Sequence, residues 1–159
     1  MEKEAKQNDE NKVRLLYKRL LETWNNNNAN DFASLFARNG NSIGFDGSQV
    51  NGRKQINDEI SQIFANHKVS SFVGIIREIR SLCPTVFVLR AVAGMVPPGQ
   101  STINPAVNTI QTLIALKEQE QFYVALFQNT PAAFHGRPEL SQHLTAELQA
   151  VFNDQQIIQ

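Results

Sequence analysis

The chain of 159 residues holds a single cysteine, Cys83. An intramolecular disulfide and a cysteine-based metal centre are thereby excluded, and a lone thiol suits a reducing cytoplasm. Charge of one sign is also missing, because fifteen Lys and Arg balance fifteen Asp and Glu. No field of either sign draws nucleic acid or an anionic membrane surface. No stretch approaches the roughly 20 apolar residues of a spanning helix, and Met1 to Gln7 are charged rather than apolar, so we expect a cytoplasmic chain with no membrane partner. His67, His135 and His143 do not sit at ligand spacing and no carboxylate pair falls in the strand-like segments, so no metal is expected. Gly40, Gly44 and Gly47 are scattered instead of forming a phosphate-cradling loop, and no nicotinamide or flavin cofactor is expected.

A hydrophobic content of 42% is enough for one core, and no composition shift or repeat divides the chain. Residues 1–10 are charged or amide-bearing and read as a disordered tail, residues 11–152 as a single domain, and residues 153–159 as a loose end. Val13, Leu16, Tyr17, Leu20, Leu21 and Trp24 recur at spacings of three and four, which predicts an amphipathic helix ended by Asn25 to Asn28. A short second helix follows, capped by Asn30, with Phe32, Leu35 and Phe36 on its apolar face and Gly40 as its stop. Asp46-Gly47 is the turn of a hairpin, and Ile56, Ile60, Ile63 and Phe64 mark a third helix.

Beyond residue 69 the period changes. Segments 69–82, 86–96, 107–116 and 122–128 are rich in β-branched and aromatic residues and are divided by Pro, Gly and polar turns, which predicts four long antiparallel strands. In the second, Val86, Val88 and Val92 alternate with Phe87, Leu89, Ala91 and Ala93, so both faces are apolar apart from Arg90. The N-terminal helices can cover one face. The other needs the C-terminal helical segment, 138–152, or a second copy of the chain, and we expect a homodimer through the sheet face.

Helices, hairpin and long strands in this order, together with Trp24, Asp31-Phe32-Ala33-Ser34-Leu35-Phe36, Asp46-Gly47 leading to Gly52-Arg53, and Phe127-Gln128-Asn129-Thr130, resemble the SgcJ/EcaC-type branch of the nuclear-transport-factor-2-like (NTF2-like, SnoaL-like) superfamily. The match runs from about Val13 to Thr130. Pro97-Pro98-Gly99, 104–108 and 129–138 are similar to a bacterial subset of that branch. The resemblance implies an α+β cone in which a strongly curved antiparallel sheet wraps around N-terminal helices. Relatives include isomerases, cyclases, dehydratases and non-catalytic association domains, so fold carries over and chemistry does not. The branch is often labelled oxidoreductase, a label that the absence of a phosphate loop leaves without support. Phe122 stands where the branch usually has tryptophan.

Arg90 is the sharpest candidate for binding, because a guanidinium in an apolar strand must find a partner. Either it pairs with Glu78 on a neighbouring strand, or it points into the cone and receives the anionic end of a small molecule; in the related kinase association domain the resemblance places a pocket-lining arginine on the comparable strand. Asn108, Thr112, Gln128 and Thr130 are polar residues on core-like strands that either orient a ligand or face outward. Trp24, Tyr17 and Phe36 would wall such a pocket or simply fill the core. His135 and Glu78 are weak acid/base candidates, and Asp46 reads as a turn residue. Cys83 reads as a packed small residue rather than a nucleophile.

Overall fold

A computed structural model describes residues 1–159. The first helix, α1, runs Glu2–Asn25, so residues 1–10 are not the tail expected of them. Glu, Lys, Ala and Gln in this stretch are good helix formers, and the Asp9 carboxylate, 3.2 Å from Lys117 Nζ on a later strand, ties the exposed half of the helix to the sheet. Helix α2 is only Ala29–Ser34, capped by Asn28 rather than Asn30, with the Asn28 side chain accepting from the Asp31 N–H at 3.0 Å. Phe36 does not lie on a helix. It opens strand β1 (Phe36–Ile43), because the Leu35 carbonyl is taken by the Val124 N–H of the last strand and the chain is drawn into parallel pairing there. Strand β2 (Gln49–Asn51) completes the expected hairpin, and α3 (Arg53–Asn66) follows.

The four long strands are β3 (Ser71–Cys83), β4 (Val86–Val96), β5 (Thr109–Glu118) and β6 (Gln121–Pro131). They pair antiparallel, and the sheet order is β2-β1-β6-β5-β4-β3. A 3-10 turn, Pro105–Val107, leads into β5, and α4 spans Pro138–Asn153. Both faces of the sheet are apolar; the N-terminal helices cover the concave one, and α4 covers part of the convex one. On the concave side, α1 and α2 bury Val13, Tyr17, Leu20, Leu21 and Phe32 against Phe36, Phe87, Leu89, Ala91, Leu113, Val124 and Phe127 of the sheet. On the convex side, α4 sets Leu144, Leu148 and Val151 against Val73, Ile75, Val92, Val96 and Ile103, and a bidentate pair between Arg77 and Glu147, at 2.9 and 3.0 Å, ties it to β3.

Two glycines let the helices approach. A Cβ on Gly74 would collide with the buried ring of Tyr17, and one on Gly94 would lie 2.9 Å from Leu148 Cδ1. The C-terminal residues 156–159 are not loose. The Gly74 N–H donates to the Ile157 carbonyl at 2.8 Å and the Ile76 N–H to the Gln159 carbonyl at 2.8 Å, which caps the otherwise open edge of β3.

Along the convex face, residues in register form alternating rungs. Val86, Leu116 and Tyr123 form one, Val88, Ile114 and Leu126 the next, and Arg90, Thr112 and Gln128 the third, with Glu78 beside Arg90. Glu78 accepts from Arg90 at 2.9 Å and from Arg80 at 2.7 Å. The Arg90 guanidinium, and after it that of Arg80, holds the Glu78 carboxyl below the usual carboxylate range. The benefit of that pairing is therefore present above the usual carboxylate range and fades as pH falls through the lowered value.

Truncation of the helix that closes the convex side, Leu148→Ala, should cost about 2 to 5 kcal/mol in urea unfolding, since the side chain is fully enclosed; a loss no larger than that of an exposed residue would mean α4 is not docked in solution. Arg90→Ala should bring the Glu78 titration, followed by NMR of its side-chain carboxyl carbon, back up toward the usual range, and an unmoved midpoint would show that the pair does not form.

Candidate functional site

Between the concave face of the sheet and α1–α3 lies a cavity of about 360 Å³, within the range of small-molecule sites. Its position follows from local features of the sequence. At the end of α1 the Asn25 side chain imitates a strand, donating to the Phe72 carbonyl at 3.0 Å and accepting from the Phe72 N–H at 2.7 Å. Trp24 donates from its indole N–H to the Ser70 carbonyl at 3.0 Å. These bonds hold Trp24 against Phe32, Phe64 and Phe72, with ring centroids 6.1, 5.1 and 5.5 Å away. Trp24, Phe32 and Phe72 form one wall, Ile60 and Ile63 of α3 another, and Met95, Thr109 and Phe127 the sheet side. The β1–β2 turn supplies the rim through Phe45, Asp46 and Ser48.

The polar groups at this cavity are not the expected ones. Arg90 points to solvent from the convex face with its side chain 53% exposed, and its partner Glu78 goes with it. Thr112 and Gln128 lie on the same convex rung as Arg90, so the structure does bring these three together, but on the wrong side of the sheet for the cavity. Asn108 is buried under α4, where its amide donates to Thr145 Oγ1 at 2.8 Å while its Oδ1 has no partner. Phe36 is buried core that does not line the cavity, and Tyr17 is buried beneath it. His135 sits in an exposed turn before α4, between Phe134 and Gly136 at φ values of 43° and 72°. Of the expected residues, Trp24 alone lines the space. Cys83 is exposed at the end of β3, where hydrogen bonds from Thr85 hold its thiol below the usual range.

In their place the cavity has Asn129, Thr109, Ser42 and Ser48, and two carboxylates, Asp46 and Glu59. Asp46 performs the turn role expected of it, since its Oδ1 accepts from the Ser48 N–H at 2.9 Å, and this bond holds its carboxyl below the usual range. It also borders the opening. Asn129 carries the one side-chain amide of the lining. Its Oδ1 accepts from Gln111 Nε2 at 2.8 Å, its Nδ2 reaches the Ile43 carbonyl at 3.3 Å, and Gln111 Oε1 in turn accepts from the Tyr17 hydroxyl at 2.6 Å. Burial pushes the Tyr17 phenol far above its usual value, so it remains a donor.

A bulge explains why Gln128 and Asn129 exchange places. Phe122 and Val124 face the core, and unbroken alternation would send Leu126 and Gln128 there too. The register slips between Ile114 and Ala115, whose partners are Leu126 and Val124, so that Ala125 is looped out and Phe127 and Asn129 turn inward. A second slip between Ile76 and Glu78 similarly sends both Arg77 and Glu78 to the convex side. No pattern in the sequence marks either bulge.

No protein-family model matches the chain, and no curated protein matches it. Solved structures do match. A domain with a cystatin-like fold from Nostoc punctiforme is 23% identical over 92% of this chain and 93% of its own, with a TM-score of 0.75. A chain from Novosphingobium aromaticivorans named as a scytalone dehydratase is 12% identical over 82% and 88%, with a TM-score of 0.68. An NTF-2-like protein from Shewanella oneidensis is 13% identical over 76% and 97%, with a TM-score of 0.63. At such identities the likeness concerns the backbone, and with the curved six-stranded sheet wrapped around N-terminal helices it establishes that this chain has the NTF2-like, cystatin-like cone fold.

Proposed function

We propose that the chain is a small-molecule-binding protein of the SgcJ/EcaC-type branch, working as a cytoplasmic homodimer whose cone holds an apolar ligand. The observation that carries this reading is the cavity itself: an aromatic and aliphatic lining with one side-chain amide, Asn129, left unfilled by the chain's own side chains. A cone needed only for architecture would gain several kcal/mol by packing solid, because voids cost contacts. An enzyme of the isomerase, cyclase or dehydratase kind is the alternative, and its titratable groups would have to be Asp46 and Glu59, since His135 and Glu78 lie away from the cavity. The neighbour named as a scytalone dehydratase gives this alternative its chemical class. An association module is the further alternative.

The dimer reading rests on the part of the convex face that α4 leaves open. Ile114, Leu116, Tyr123 and Leu126 stand half-exposed on β5 and β6 and belong to neither buried cluster. The polar rung of Arg90, Thr112 and Gln128 runs beside them. A face with both characters can meet its own copy across a two-fold axis.

In a thermal-shift screen of apolar small molecules, compounds that raise the midpoint of the wild-type chain should lose their effect in Ile63→Trp, which fills the cavity, and keep it in Arg90→Ala, because a ligand of the folded state stabilises only where it can enter. Stabilisers indifferent to Ile63→Trp would move the site elsewhere. For the dimer, light scattering should report twice the chain mass for wild type and the chain mass for Ile114→Lys; a monomeric wild type at micromolar concentration contradicts it.

A further inference from the structure

The hydrogen bonds around Asn129 admit one direction only. The Ile43 carbonyl can accept and never donate, so the nitrogen of the Asn129 amide must face it, as it does at 3.3 Å. Asn129 Oδ1 then faces Gln111, which must present its Nε2 at 2.8 Å. Gln111 Oε1 is left toward Tyr17, which must donate, at 2.6 Å. Reversing Asn129 would set its oxygen against the Ile43 carbonyl, and reversing Gln111 alone would set oxygen against oxygen at Asn129. Gln111 and Tyr17 are both fully enclosed, so the inner part of this chain of bonds is shielded from water. At its cavity end Asn129 commits one N–H to Ile43 and has a second with no partner in the chain.

Charge at the same cavity has one sign. Asp46 and Glu59 border it, and no lysine, arginine or histidine lines it. An anionic ligand would lose its water and meet no cation.

We propose that the cavity selects an apolar ligand carrying an uncharged hydrogen-bond acceptor, of the ketone, ester or amide carbonyl class, which takes the free N–H of Asn129, and that Gln111 and Tyr17 are positioning residues that keep this N–H aimed inward. The proposal rests on reading the cone as a ligand pocket and adds the polarity of its occupant. It also replaces the anionic end that Arg90 implied: the group that reads the ligand is a neutral donor on β6, and it discriminates because a ligand without an acceptor leaves that donor unpaired.

Calorimetric titration of the full chain with four probes of one shape tests this: naphthalene, 2-acetylnaphthalene, 2-naphthoate and 2-naphthylmethylammonium. The ketone should bind about tenfold tighter than naphthalene, the usual worth of one hydrogen bond, and the carboxylate weakest of the four. In Asn129→Asp the ketone should fall to the level of naphthalene, whose own affinity should hold. Tyr17→Phe leaves Gln111 Oε1 without its donor and the amide chain less firmly held, and the ketone-to-naphthalene ratio should shrink there too, a change that a purely structural tyrosine would not produce. Should either variant fail to fold, the ranking in the wild-type chain decides alone. A carboxylate that binds as well as the ketone, or a ketone with no advantage over naphthalene, overturns the proposal while leaving the pocket standing. No binding of naphthalene or any other probe overturns the pocket reading and the proposal with it.

Discussion

Everything in this molecule is arranged around a sheet that is oily on both sides. Strand β4 buries Phe87, Leu89 and Ala91 on one face and Val88, Val92 and Val96 on the other, and a strand of that kind has no wet side to turn outward. The concave face is satisfied by α1, whose Tyr17 stands over Gly74, and much of the convex face by α4, whose Leu148 stands over Gly94. Gly74 and Gly94 lie one step apart across the β3–β4 pair, since Val73 opposes Gly94 and Gly74 opposes Ala93. Two helices from opposite ends of the chain thus press on nearly the same spot from opposite sides, and the C-terminal residues close the edge of β3 beside them. This is why a chain without a disulfide holds together along its whole length.

The cavity is a consequence of the same arrangement. Helix α1 packs against β3, β4 and β6, and Asn25 clamps its end to β3 at Phe72. Beyond that clamp the chain turns back through α2 and α3, and the space enclosed is bounded by aromatic side chains held by their neighbours. Its one side-chain amide, Asn129, sits where β6 has resumed its ladder after a bulge. The amide chain from Tyr17 through Gln111 to Asn129 then carries rigidity from the packed core to the cavity wall, so the part of the wall able to recognise a ligand is also the part least able to rearrange.

The convex face shows how a buried-looking charge can be ordinary. Arg90 interrupts an apolar strand, yet its rung holds Glu78, Thr112 and Gln128, and its guanidinium reaches water as well as a carboxylate. Polar residues from four strands gathered in one rung form a stripe beside apolar rungs, and in it Arg90 pairs with Glu78 of the neighbouring strand. The feature that looked most like a binding group is part of a surface.

What the sequence determined by itself was everything that depends on neighbours in the chain: α1 from its stripe of Val13 to Trp24, α3 from Ile56 to Phe64, the four long strands from their β-branched runs, the Asp46-Gly47 turn, and α4 after Pro138. Trp24 at the cavity was legible in the same way. Local pattern failed where a distant strand made the decision. Phe36 reads as the end of a helix, but β6 claims its backbone; residues 2–10 read as a tail, but Lys117 holds Asp9; the last residues read as loose, but β3 needed an edge partner. Which face each strand turns inward was settled only in three dimensions, because with both faces apolar the alternation has no contrast to read, and a bulge of one residue at Ala125 exchanges Gln128 for Asn129 at no cost visible in composition.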